Sequence, residues 1–132
     1  MSISKEYDDI PGTYVFDFTQ ARRGYHLNMF CMSLMKPENR EAFKADEQAE
    51  LDKWPMTEDQ KKVILNRDWN GMLALGGNIY FTAKLAATDG LSFQQIAAEM
   101  SGMSQPEYAM MMLKGGRPVE GNRSKSEWKN RG

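Results

Sequence analysis

Apolar residues fall in short groups with helical spacing, and Gly, Pro or a capping side chain separates one group from the next. Leu27, Phe30, Cys31, Leu34 and Met35 recur at i, i+3, i+4, i+7 and i+8, which predicts one apolar stripe on a helix from about Thr19 to about Met35. Pro37 ends that helix and suits the first turn of another. The next stretch, Glu38 to Trp54, is charged and carries only Ala42, Phe43, Leu51 and Trp54 as apolar residues. It reads as a solvated outer helix, or as one broken near Ala45-Asp46. Thr57 and Gln60 have capping-box spacing, opening a helix that runs to about Leu75 and stops at Gly76-Gly77. Asn78 reads as the N-cap of a helix from Ile79 to Ala87, closed by Thr88-Asp89-Gly90. Ser92 with Gln95 and Ser104 with Glu107 repeat the capping-box spacing. Pro106 sits in a first turn, and Gly115-Gly116 ends the series. The pattern predicts an all-α fold, a compact bundle of six or seven short helices.

Three regions follow. Residues 1–18 are expected to be an extended N-terminal arm, with a turn at Pro11-Gly12 and then Tyr14, Val15, Phe16 and Phe18. Residues 19–116 form the helical domain. Residues 117–132 are polar and basic and are expected to be a flexible tail. The chain has 132 residues, the size of one ordinary domain, and a net charge of −1. Val and Ile are scarce, which argues against a large sheet, and 11 Met make up apolar volume. The three consecutive residues Met110, Met111 and Met112 cannot all face one way on a helix. At least one is expected to be exposed or covered by another subunit, as are Tyr14, Phe16 and Phe18.

The chemistry within the chain is sparse. His26 and Cys31 are the only histidine and cysteine. An iron site of two histidines and a carboxylate, or a three-ligand catalytic zinc site, needs more donors than that. No catalytic residue and no metal ligand is therefore assigned. A Cys31–His26 nucleophile pair fails on geometry, because residues five apart point to different sides of a helix; Cys31 reads as a small core residue. His26 is either a boundary residue or a binder of a carboxylate or partner chain. Ala98 and Gly102 have the small-residue spacing of a helix-turn-helix, but the following helix has no cation before Lys114, so nucleic acid is not an expected partner. A lone cysteine fits a reduced, cytoplasmic compartment. No apolar run approaches the roughly 20 residues that cross a bilayer, and no membrane partner is expected.

A set of short motifs adds to this reading. They are Asp8-Asp9-Ile10-Pro11-Gly12-Thr13, Ala21-Arg22-Arg23-Gly24-Tyr25-His26-Leu27-Asn28, Met32-Ser33-Leu34-Met35-Lys36, Glu38-Asn39-Arg40 and Phe43-Lys44-Ala45-Asp46-Glu47, then Gly76-Gly77-Asn78-Ile79-Tyr80-Phe81, Thr88-Asp89-Gly90, Ser92-Phe93-Gln94, Gly102-Met103, Glu107-Tyr108-Ala109 and Gly115-Gly116-Arg117. In this order and spacing the chain resembles the alpha (small) chains of protocatechuate 4,5-dioxygenases, two-subunit class III extradiol ring-cleaving enzymes.

The resemblance implies a helical chain that binds no iron itself, with Fe(II) and the catalytic residues on a beta subunit whose cleft the alpha chain caps. It implies an alpha2-beta2 heterotetramer, with the aromatic substrate at the subunit interface. The reaction it implies is O₂-dependent meta cleavage of a catechol in aromatic-acid catabolism, such as lignin degradation, with protocatechuate, gallate or a related ring as substrate. By the same resemblance, Asp89-Gly90-Leu91-Ser92-Phe93-Gln94 lies over the partner's active site. Phe93 then either touches the ring or anchors its helix in the core, and Ser92 is an N-cap first and a substrate donor second. The alternative function is a stand-alone helical binding module for an aromatic acid or a protein.

Overall fold

In a computed structural model, residue 10 and residues 13–117 are described. Nine α-helices and no strand occur among them: α1 (Phe18–Arg23), α2 (Tyr25–Ser33), α3 (Pro37–Ala45), α4 (Glu47–Leu51), α5 (Glu58–Leu65), α6 (Trp69–Ala74), α7 (Ile79–Thr88), α8 (Phe93–Met100) and α9 (Gln105–Leu113). Most of the expected arm and nearly all of the expected tail lie outside the described residues.

The helices outnumber the expected six or seven because three periodic stretches are interrupted. The first breaks at Gly24, which ends α1 and begins α2. The second breaks at Asp46, whose extended backbone ends α3 while its side chain caps the Ala49 N–H of α4. The third breaks after Leu65: Arg67 adopts a left-handed backbone (φ 52°), and Asp68 then caps α6 by accepting from the Gly71 N–H. The capping boxes expected at Thr57/Gln60 and Ser92/Gln95 are both formed. At Ser104 the hydroxyl accepts from the Glu107 N–H.

The core is one cluster with contributions from α2 through α8. Leu27, Phe30, Cys31 and Leu34 come from the first apolar stripe, and Phe43, Leu51, Ile64, Trp69, Met72, Leu85 and Ile96 close around them. Met35, the last residue of the expected stripe, is exposed, because α2 ends two residues earlier. Phe30 and Phe43 meet at 5.1 Å with their rings tilted by 60°, and Trp54 meets Phe30 edge-on at 6.3 Å. Helices α1 and α9 contain no buried residue; α9 packs on α8, and α2 packs along α7.

The α1–α2 junction meets the C-terminal end of α6 with no side chain between them. A Cβ on Gly24 would fall on the Gly76 carbonyl, and one on Gly76 would fall on the Gly24 backbone. Around this contact, side chains satisfy the carbonyls that a helix end leaves open. Gln20 Nε2 donates to Leu73 O (3.4 Å), Arg23 Nη1 to Ala74 O (3.1 Å), Gln60 Nε2 to Leu75 O (3.1 Å), and Asn28 Nδ2 to Gly76 O (3.1 Å). Gln60 Nε2 also reaches Arg23 O (3.0 Å), while the other end of the Asn28 amide accepts from the Asn78 N–H (2.9 Å). Asn78 in turn caps α7 through the Tyr80 N–H.

Gly76 also has φ 99°, so Gly76→Ala meets both a clash and a backbone penalty. We expect a loss of more than about 3 kcal/mol, read as a collapse of the thermal unfolding midpoint. Asn28→Ala strands a buried carbonyl and a half-buried N–H, and we expect a loss of about 2–4 kcal/mol; a midpoint unchanged in either variant would show that the junction does not hold the fold.

Candidate functional site

The segment Asp89–Gln94 begins where α7 runs out. Asp89 is its C-cap, and the Gly90 N–H donates to Ala87 O (3.0 Å) while the Leu91 N–H donates to Ala86 O (2.9 Å). This paired closure requires a left-handed residue after the cap, and Gly90 supplies it at φ 80°. Leu91 turns in to pack on the core. Ser92 then starts α8: its Oγ accepts from the Gln95 N–H (3.1 Å) while Gln95 Oε1 accepts from the Ser92 N–H (2.6 Å). Phe93 follows at the first helical position.

Phe93 is 60% exposed, so it does not anchor α8 in the core; Ile96 and Ala98 do that. Ser92 is exposed, with its hydroxyl engaged as a cap. Other large apolar groups also face outward: Tyr80 at 80% and Phe18 at 78%, together with Tyr14, Phe16, Tyr25, Met110 and Met112. Met111 is half-buried, so the three consecutive methionines divide as helical geometry requires. An open groove of about 620 Å³ lies beside Met103, Met110, Met111 and Lys114.

Arg67 stands behind the segment. Its closure of α5 has the same form as that of α7, with the Arg67 N–H on Ile64 O and the Asp68 N–H on Val63 O. The left-handed position is filled here by arginine, the one non-glycine residue with positive φ among the described residues. That conformation costs roughly 1–2 kcal/mol. The guanidinium forms two bonds to Glu47 (Nη1–Oε1 3.0 Å, Nη2–Oε2 2.8 Å) and two to Asp89 (Nε–Oδ2 2.6 Å, Nη2–Oδ1 3.1 Å). It also donates to its own Ile64 carbonyl (2.8 Å) and lies 5.3 Å from the Phe43 ring centre. Desolvation acts against its charge, but the hydrogen bonds to Asp89 and Glu47 outweigh this and hold it more firmly protonated than a free arginine.

His26 is half-buried against the Tyr25 ring (5.1 Å, edge-on), and Cys31 is fully buried on the same helix. The structure brings neither to Phe93 by any direct bond or ring contact among the described residues. The donors for a metal do not assemble: among the described residues no three of His, Cys, Asp and Glu converge. The carboxylates of Glu47 and Asp89 do meet, on the Arg67 cation. No helix among the described residues is long and apolar enough to cross a membrane.

Sequence reasoning missed Arg67, because the apolar period ran unbroken through it. The signal was Asn66-Arg67-Asp68 with Gly71 three residues on, an aspartate N-cap in mid-pattern. Asn28 lies within a motif that carries the resemblance, and nothing in its spacing marks the role it plays.

The family model for the aromatic-ring-opening dioxygenase LigAB, LigA subunit, matches residues 27–113, from the first turn of α2 to the last residue of α9. The chain belongs to this LigA subunit family. It is also 28% identical over 101 residues to a gallate dioxygenase of Pseudomonas putida, a match covering 76% of this chain and 30% of that one. The chain thus spans less than a third of the length of that relative.

Burial pushes the Cys31 thiol from 9.0 up to about 12, against the smaller pull of Arg67 and Lys84. The folded chain therefore keeps the proton that the unfolded chain loses near pH 9.0. This group's contribution to stability is full below that pH and falls away as the pH rises toward about 12. Iodoacetamide at mildly alkaline pH is expected to leave native Cys31 unlabelled and to alkylate it fully in denaturant. Rapid native labelling would show that the α2 core opens.

Proposed function

We propose that this chain is the non-catalytic alpha subunit of an extradiol catechol dioxygenase, acting on protocatechuate, and that it caps the active site of a beta subunit. The observation that carries this reading is Phe93: a large aromatic ring, unused by its own core, held at the start of a doubly capped helix within the span matched to the LigA family. An exposed phenyl group so placed supplies an apolar wall. Against a bound catechol it excludes water and fixes the plane of the ring. Ser92, whose hydroxyl already caps α8, would be a secondary hydrogen-bonding group at the same edge.

The iron that this chemistry needs, Fe(II), is placed on the beta subunit, together with the residues that handle O₂. The Pseudomonas putida relative is named for gallate, a ring close to protocatechuate, and the matched segment is one part of a longer polypeptide there. Both features support a helical unit working beside a catalytic one. The exposed apolar groups of Tyr14, Phe16, Phe18, Met110 and Met112 are assigned to the surface that the beta subunit covers, in an alpha2-beta2 heterotetramer of the cytoplasm.

Purified alone and supplied with Fe(II) and ascorbate, the chain is expected to cleave no catechol, and adding a cognate large chain is expected to restore cleavage. Ring cleavage by the isolated chain would overturn the subunit reading. Phe93→Ala is expected to leave the mass of the assembled complex unchanged while lowering kcat/KM by about tenfold, the value of one aromatic contact in a dry site. Unchanged kinetics with both protocatechuate and gallate would remove Phe93 from the site.

A further inference from the structure

We propose that Arg67 and Asp89 form a positioning pair: the guanidinium grips the carboxylate at the end of α7 and so sets the direction in which the Asp89–Ser92 turn delivers Phe93. The proposal rests on the reading of Phe93 as a substrate-facing ring and adds to it the residue behind the turn.

Three observations carry it. First, Arg67 occupies a left-handed backbone position of the kind that Gly76, Gly90, Gly102 and Gly115 fill after α6, α7, α8 and α9. A glycine would sit there without strain, so the position is held for its side chain. Second, all five guanidinium N–H donors are used, two on Glu47, two on Asp89 and one on Ile64 O. A fork engaged on both sides cannot swing without breaking several charge-assisted bonds at once. Third, Asp89 sits at a helix C-terminus, where the backbone already presents negative partial charge. A carboxylate there is unfavourable by itself and becomes favourable only beside a cation. The pair therefore ties the turn before α8 to α4 and to the α5–α6 corner, four residues ahead of Phe93.

The test uses Asp89→Asn, Arg67→Lys and the double variant, with Asp89→Glu as the conservative rescue. In the isolated full-length chain, amide hydrogen exchange at residues 90–95 is expected to rise by about tenfold in Asp89→Asn, the loss of one charge-assisted pair. Arg67→Lys is expected to do the same, and the double variant to add little to either. In the complex with the large chain, both single variants are expected to lower kcat/KM for protocatechuate toward the Phe93→Ala value, mainly through KM. Asp89→Glu is expected to recover most of the loss.

Unchanged exchange at 90–95 in Asp89→Asn would overturn the pair itself, whatever the kinetics. Raised exchange with normal kinetics would overturn its positioning role, provided that Phe93→Ala is impaired. If Phe93→Ala is normal as well, the substrate-facing reading of Phe93 fails and takes the positioning role with it.

Discussion

Two glycine backbones in contact, Gly24 against Gly76, set how the rest of the molecule packs. With no side chain between them, the α1–α2 junction approaches the end of α6 closely enough for Gln20, Arg23, Asn28 and Gln60 to reach four successive carbonyls. A helix end buried without partners would be costly; here it becomes an attachment point. The same Asn28 amide that accepts from Asn78 begins the chain of contacts that orients α7. Through α7 the position of Asp89 is set, and through the turn after it the position of Phe93.

Much of this architecture is written in local sequence. The capping boxes at Thr57/Gln60 and Ser92/Gln95 were legible because the two side chains satisfy each other's backbone within one turn, with no help from the rest of the fold. Gly76-Gly77 and Gly90 were legible as stops for a similar reason. The break at Gly24 was not, since one glycine in a polar-faced periodic stretch is tolerated in many helices; what decides it is a backbone 52 residues away. The break at Arg67 was hidden for the opposite reason. Arginine is a good helix former, and its left-handed conformation is held by Glu47 and Asp89, partners that no local window contains.

The candidate site shows the same division. Phe93 and Ser92 are named from the sequence through resemblance, Ser92 also as a cap from its spacing to Gln95, and their exposure comes from the structure. Asn28, Arg67 and Gln60, by contrast, work through the far ends of long or forked side chains. Their importance lies in which carbonyl or carboxylate they reach, and periodicity carries no trace of that. The motifs that carry the resemblance divide accordingly: Arg23-Gly24 with Asn28, and Gly76-Gly77-Asn78, build the junction, while Thr88-Asp89-Gly90 and Ser92-Phe93-Gln94 build the presented edge.

The Gly24–Gly76 junction also has a consequence in time. Its bonds join positions separated by 48 residues at Asn28–Gly76 and 53 at Gln20–Leu73. On the ribosome, the segment that becomes α1 and α2 emerges long before the carbonyls that will hold it have been made. Until α6 is synthesised, Gln20, Arg23 and Asn28 have only water to bond, and the early helices wait as loose, reversible turns.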